Sequence, residues 1–564
     1  MPRLSGGEAV VLLMRLHGID IAFGMGGFQT LPYYDAIARQ DALRHVLIRD
    51  EKHGAFAADA YARVANRPAI ADATLGPGAT NLISGAAESF GASVPLILLT
   101  GEVNSMIGGR GATQESDQFG MLKPTSKASI RIDRIERVPE LVRRAVTIAV
   151  SGRPGPVHVN VTEDVMHGTH DFGDADLYAD PSSMRVGARR TRPDERALNE
   201  AAAILSNAER PVMIVGGGAH LSEAYAEIKA FADAVGLPVT YTMSGKGALD
   251  DRHRATMGLI GRYSRTGNDL IKGADAILTV GCKLGEIATT RWSLLTQSAK
   301  LVQIDVDPTE FGKVYRCDVG VWADAQLGLR DLLAALDAPK LRARIAPWVA
   351  RATDLRSKWA AAAESNYGSD EEPIHMARLL RELRRSAPDD SIVVADGGFA
   401  AHWSALLYDI TRSGRTYIAN RGHAAIGYGL PGALGAKLAA PARSVIALCG
   451  DNGFAMAVAE LETAKREGAP IVAVVVDNAA LGYVKALQHS LYTGRYISAD
   501  FDAVDYATVA RAFGCFGRRV TRAADLPEAL AEAFASDVPA VVDVVTTTDP
   551  AKMLPGVDAR TVQR

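Results

Sequence analysis

Short apolar runs rich in valine, isoleucine and leucine recur from end to end of the chain, and alanine-rich stretches with helical spacing separate them. The runs at 20–25 (DIAFGM), 45–50 (HVLIRD), 69–74, 95–100 and 156–161 predict strands of a first block. Those at 211–218 (PVMIVGGG), 238–242, 275–281 and 300–307 predict a second block, and those at 391–398, 416–420, 445–449 (VIALC), 471–476 (IVAVVV) and 540–547 a third. Strands apolar on both faces, alternating with helices, are the pattern of parallel sheets covered on each side. The expected fold is therefore α/β, with three doubly wound parallel-sheet domains at 1–170, 190–340 and 370–550. A polar stretch at 165–192 reads as a structureless linker, and the charged, alanine-rich 338–372 as a joining helix. Residues 1–20 read as an amphipathic helix, not a signal peptide.

Composition narrows the classes of function. The chain has 564 residues, 48% apolar and 23% charged, with a formal net charge of -3. Both signs are interspersed, so neither nucleic acid nor an anionic membrane is an expected partner. No apolar run approaches the roughly 20 residues that a membrane span requires. Cys282, Cys317, Cys449 and Cys515 lack metal-ligand spacing and fit a reducing, cytoplasmic setting.

The third block carries the clearest chemistry. VIALC and IVAVVV each end in acid and amide groups, at Asp451-Asn452 and at Asp477-Asn478. Parallel sheets bind ligands outside the carboxyl ends of their strands, so both ends should meet at one edge. One carboxylate and one amide oxygen suit a hard cation such as Mg²⁺, which shares its oxygens with phosphates. Gly450 and Gly453 flank the turn, where backbone N–H groups at a helix start can hold an anion. An Asp that merely caps the following helix is the plainer alternative.

Gly-Asp-x-Gly followed by a strand that ends in Asn resembles the cofactor signature of thiamine-diphosphate enzymes. Asn452 stands where glycine is commonest, and Asp477 replaces the first of two asparagines. The stretches E-x-x-x-A-x-x-A-x-x-Y-A-R from Glu51, LGPGATNLISG (75–85), VPLILLTGE (94–102), ATQESDQ (112–118), VQIDVDPTEFGK (302–313) and GHAAIGYGLPGALGAK (422–437) are similar to the acetolactate synthase superfamily. The resemblance spans nearly the whole chain.

It implies thiamine diphosphate and Mg²⁺ as cofactors, with Asp451, Asn478 and the carbonyl of Ala480 as metal ligands. Glu51 matches the carboxylate that hydrogen-bonds the aminopyrimidine ring, Gln114 a glutamine facing the reactive centre, and Ile426 the wedge beneath the cofactor. Gly76, Pro77, Asn81, Gly397, Gly398, Phe399, Gly422, Ala424, Gly450, Asn452, Gly453, Leu481, Gly482 and Tyr483 fall in cofactor-binding stretches. Because Glu51 and the metal residues lie in different blocks, the family pattern implies a homodimer or homotetramer with sites shared between subunits.

The departures bear on the substrate, expected to be a small carbonyl compound. Phe28 and Gln29 stand where relatives carry other residues near the cofactor, a small one in place of Phe28, and Thr113 replaces a phenylalanine. Gly285, Glu286 and Ile287 occupy the acid-acid-arginine element expected to meet the second substrate's carboxylate. Leu487 replaces an acceptor-selecting tryptophan. His402, His423 and Tyr483 are candidates for proton transfer. VGGGAH (215–220), GRYSR (261–265) and IDVD (304–307) leave FAD open in the central block. The expected activity is C–C bond cleavage and formation on 2-oxo acids. The alternatives are a 2-hydroxy-ketone lyase, a flavin-linked oxidase and a non-catalytic thiamine-binding subunit.

Overall fold

A computed structural model describes residues 2–40 and 43–556. Every strand read from an apolar run is present, arranged in three six-stranded parallel sheets. The first sheet runs Arg44–Leu47, Ile21–Met25, Ala69–Ala73, Leu96–Glu102, Val157–Thr162, Ala128–Ile132. The third runs Tyr417–Ala419, Ile392–Ala395, Val445–Gly450, Val472–Asp477, Ala540–Val545, Phe516–Val520. Numbered by their own strands, both follow the order 2-1-3-4-6-5. The central sheet differs: Thr256–Leu259, Val239–Tyr241, Pro211–Val215, Ala276–Val280, Lys300–Asp305, Val319–Trp322. That is the 3-2-1-4-5-6 order of dinucleotide-binding folds.

Four strands of these three sheets were not anticipated: Ala128–Ile132, Thr256–Leu259, Val319–Trp322 and Phe516–Val520. All four are edge strands. An edge strand is less enclosed than a central one, so it need not be a continuous apolar run. The expected linker at 165–192 is also partly ordered. Thr169–Asp171 pairs antiparallel with Arg3–Ser5, and Phe172 is buried in the core beside them. The 338–372 stretch is helical as expected, over Ala338–Arg344 and Ala346–Tyr367.

Packing divides the chain into two units. One comprises the chain up to Arg189 with Asn420–Ala447 and Gly453–Ile471; the other comprises Arg190–Ala419, Leu448–Asn452 and the chain from Val472. In the first unit the helix Glu51–Ala65 is almost wholly buried, which explains its alanines. A Cβ on Gly435 would lie 1.9 Å from the Ala57 carbonyl oxygen, and one on Gly85 2.2 Å from the Ala55 Cβ. Only small residues admit helices this close to that face.

Candidate active site

In the first unit, the candidate residues gather at the carboxyl ends of the strands. Glu51 opens its helix just beyond Arg44–Leu47, with Asp50 as N-cap. It is 5% exposed, and Asn81 Nδ2 donates to its Oε2 at 3.0 Å. A Cβ on Gly78 would approach Glu51 Oε1 to 3.0 Å, so the Pro77–Asn81 turn closes around the carboxylate. Gly76, at φ +66°, meets Gln114, and a Cβ there would lie 2.4 Å from the Gln114 carbonyl. Gln114 is itself left-handed at φ +62° and exposed. Phe28 and Gln29 sit in the 3-10 turn after Ile21–Met25. Phe28 is 60% exposed, with its ring stacked on His167 at 5.4 Å between centroids. Gln29 accepts from Thr74 Oγ1 at 3.3 Å.

Two buried polar networks tie the first unit together. Gln118 accepts from the Gly76 N–H at 2.9 Å and donates to Asn160 Oδ1 at 2.7 Å. Thr100 joins it, lying 2.8 Å from both Asn160 Oδ1 and His158 Nε2. Because the threonine's single hydrogen goes to Asn160, His158 donates through Nε2 and is the neutral tautomer. Burial pushes its pKa down to about 3. In the second network Glu88, fully buried, accepts from the N–H groups of Gly422 (2.9 Å), His423 (2.6 Å) and Ala424 (3.0 Å). Arg63 donates to the same carboxylate at 2.9 Å and also pairs with Asp59, which accepts from Tyr428. Ile426 follows this turn, half-buried, and His423 is exposed.

In the second unit, Asp451, Asn478 and Ala480 come together. Asp451 is 4% exposed; its Oδ1 accepts from the Asn452 N–H at 2.7 Å. Its Oδ2 accepts from the N–H groups of Asn478 at 3.2 Å and Ala480 at 3.3 Å. Burial raises the Asp451 pKa to about 6, with Asp477 nearby adding to the shift and the backbone donors opposing it. A dication would reverse that penalty. Among the described residues no cluster of three His, Cys, Asp or Glu side chains could hold a metal. A metal here therefore needs the mixed set of carboxylate, amide and backbone oxygens, completed by phosphate.

Neither Gly450 nor Gly398 has an atom within 4 Å of where a Cβ would stand, and Gly398 caps the buried helix Phe399–Leu407 at φ +74°. Gly397 donates to Asp396 at 2.6 Å. The loop continues through Leu481 and Gly482 to Tyr483, whose hydroxyl accepts from Arg262 Nη1 at 2.7 Å. Tyr483 and Tyr263 both pack on the His402 ring at 5.2 Å between centroids. Thus two of the three proton-transfer candidates, His402 and Tyr483, are neighbours. Gly453 belongs to the first unit, near Gly427.

Asp477, the departure from the usual asparagine, has a local cause. Arg519, on the edge strand, reaches Asp477 at 3.0 Å and also pairs with the fully buried Asp543. The central glycines at 216–218 also have a packing cause, since a Cβ on Gly216 would lie 2.2 Å from the Gly281 carbonyl oxygen. Asp305, at the end of Lys300–Asp305, has its pKa raised by burial to about 6. Glu88, Gln118 and Arg262 were missed as individual site residues. The one signal for Glu88 was an isolated acid among small residues in GAAESFGAS.

Family models place the same chemistry on the chain. Residues 4–121 match the thiamine pyrophosphate enzyme N-terminal TPP binding domain, 198–332 its central domain and 396–544 its C-terminal TPP binding domain. The chain is 33% identical over 562 residues to a probable acetolactate synthase large subunit of Methanocaldococcus jannaschii, covering 98% of this chain and 93% of that protein. It is 32% identical over 570 residues to the acetolactate synthase large subunit of Corynebacterium glutamicum, covering 99% and 89%. With the acetolactate synthase isozyme 2 large subunit of Escherichia coli the identity is 31% over 545 residues, covering 96% and 95%.

Proposed function

Since the chain belongs to the thiamine-diphosphate-dependent enzymes of the acetolactate synthase superfamily, we propose that it is a Mg²⁺-assisted carboligase acting on 2-oxo acids. The observation that carries this reading is the junction of Asp451 with Asn478 and Ala480 at neighbouring strand ends. When bound, thiamine diphosphate supplies the carbon nucleophile and electron sink needed to break the bond between a carbonyl carbon and a carboxylate. Asp451, Asn478 and the Ala480 carbonyl would hold the metal, and the open positions at Gly398 and Gly450 would leave room for the diphosphate. Glu51, in a pocket closed by Asn81 and Gly78, would hydrogen-bond the cofactor's ring. Glu88 fixes the Gly422–Ala424 backbone, which the family resemblance would set beside the ring of a bound cofactor. In the net reaction the C–C bond to the carboxylate breaks and CO₂ leaves. The remaining acyl carbon bonds to a second carbonyl carbon, whose oxygen takes a proton.

We place the domain limits at 1–170, 190–340 and 370–550, and the assembly as a homodimer or homotetramer. Phe28, Leu31, Met106 and Ile107 support a subunit interface as exposed apolar side chains of the first unit. Four free cysteines support a cytoplasmic setting. Among the described residues no helix is long and apolar enough to cross a membrane. The strand order of the central sheet favours FAD as a further cofactor; flavin absorbance in the purified protein tests it. Ile287 and Leu487 favour a second reading, 2-hydroxy-ketone lyase.

One experiment separates these readings. The wild type is given 2-oxo acids and 2-hydroxy ketones with thiamine diphosphate and Mg²⁺, while CO₂, aldehyde and ligation product are followed together. CO₂ with ligation product supports the carboligase, and aldehyde released from a 2-hydroxy ketone supports the lyase. Cofactor binding, followed by tryptophan fluorescence, must also require Mg²⁺. Metal-independent binding would overturn the assignment at Asp451.

A further inference from the structure

The geometry points to Arg262 as the residue that holds the carboxylate of the second 2-oxo acid, in place of the arginine missing at 287; this rests on the carboligase reading. Gly261 and Arg262 form the turn beyond the edge strand Thr256–Leu259. Gly261 is at φ +104°, and a Cβ on it would lie 2.1 Å from the Ile287 carbonyl oxygen. The Arg262 N–H donates to that same oxygen at 2.9 Å. Glycine is therefore required for the approach, and the approach delivers an arginine beside the position where the family pattern expects one.

The side chain has a defined place. It is 9% exposed, with Nη2 3.8 Å from Glu286 Oε1, and Glu286 is 46% exposed. Nη1 donates to the Tyr483 hydroxyl at 2.7 Å. Tyr483 lies in the first turn of the helix Gly482–Leu491, immediately after the loop bearing Asn478 and Ala480. A Cβ on Gly482 would lie 2.7 Å from Asn478 Nδ2, so the residue before the tyrosine packs directly on Asn478. The guanidinium thus faces the same strand-end edge as Asp451. A phenol contributes one neutral acceptor, whereas a carboxylate takes the guanidinium fork through two parallel hydrogen bonds and supplies the opposite charge. Nearly buried, the fork favours a planar carboxylate over a neutral carbonyl group of similar size. Glu286 lies close enough to balance the cation before substrate enters.

Acceptor competition reads this directly. The holoenzyme is given pyruvate as donor, with pyruvate and acetaldehyde competing as acceptors. The ratio of acetolactate to acetoin is compared in wild type, Arg262→Met, Arg262→Lys and Tyr483→Phe. The ratio should fall about tenfold or more in Arg262→Met and less in Arg262→Lys, which keeps the charge and loses the fork. Tyr483→Phe keeps the guanidinium and should fall less than Arg262→Met. A second measurement is independent of turnover: calorimetric titration of the holoenzyme with lactate and with lactamide. Wild type should favour lactate, and Arg262→Met should lose that preference. A product ratio within about twofold of wild type together with a retained lactate preference would overturn the assignment. Should Arg262→Met fail to fold, an unchanged ratio in Arg262→Lys does the same. If wild type yields no ligation product, the carboligase reading falls, and the lactate titration still decides Arg262.

Discussion

Glu88 Oε2 lies 3.0 Å from the backbone nitrogen of Ala424, a residue held in the left-handed region at φ +61°. The same oxygen accepts from His423, and its partner oxygen accepts from Gly422 and Arg63. One buried carboxylate therefore fastens a three-residue turn that lies more than 300 positions away in the chain. Glu88→Gln keeps the shape but puts an amide N–H₂ where an acceptor is needed and leaves Arg63 short of a counterion. Breaking a buried pair in this way costs about 3–5 kcal/mol. The expected result is a lower urea midpoint with an unchanged slope, together with weaker thiamine-diphosphate binding by fluorescence titration. Wild-type values of both would remove Glu88 from the site.

Glu51 should behave in the opposite manner. Its carboxylate accepts from Asn81, and among the described residues no arginine or lysine forms an ion pair with it. Glu51→Gln preserves that acceptor, so the urea midpoint should stay close to wild type. Turnover should drop by about 10²–10⁴, the span expected for loss of a positioned proton-transfer group. Equal loss of stability and turnover would mark Glu51 as structural.

Metal removal is a third test. Asp451 is the one carboxylate among the three proposed ligands, and its burial favours the protonated form unless a cation is bound. Asp451→Asn should raise the Mg²⁺ concentration needed for cofactor binding by at least about 100-fold, the upper end of what outer-shell substitutions achieve. Chelator should abolish cofactor binding by wild type. Retention of the cofactor in chelator would place the metal elsewhere.

These tests divide along a line that also governs what was readable in the chain. Asp451 and Asn478 could be found because each terminates a central strand, and strand ends in a parallel sheet share an edge. Glu51 could be found because it stands between an apolar strand and a small-residue helix, in a stretch that resembles the family's. Glu88 and Arg262 could not, since their meaning lies in contacts with distant residues, Gly422–Ala424 and Tyr483. Asp477 looked like a flaw in a motif until Arg519, on an edge strand with no continuous apolar run, supplied its partner. The central strands have a pattern that the chain spells locally; edge strands and buried ion pairs are set by tertiary neighbours.

His158 gives the pH prediction. It is fully buried on the strand Val157–Thr162, its Nδ1 has no hydrogen-bond partner among the described residues, and burial depresses its pKa to about 3. An unfolded histidine titrates near 6.5. Between those values the unfolded chain binds a proton that the folded chain refuses. The stability from keeping this ring neutral is therefore complete above about pH 6.5 and is lost as pH falls toward 3. The slope contributed is about 1.4 kcal/mol per pH unit. Asp451, Asp305 and Asp543, whose pKa values burial raises to about 6, act in the opposite direction between their unfolded values and 6. The whole protein's pH dependence mixes these contributions, so the test is a difference. His158→Gln keeps an amide donor for Thr100 and cannot be protonated. Urea unfolding of both proteins from pH 7 to pH 4.5 should show the variant gaining on wild type by about 1.4 kcal/mol per unit below pH 6. Parallel curves would mean that His158 is protonated in the folded state, and that the Thr100–Asn160–Gln118 network behind Gly76 accommodates the charge.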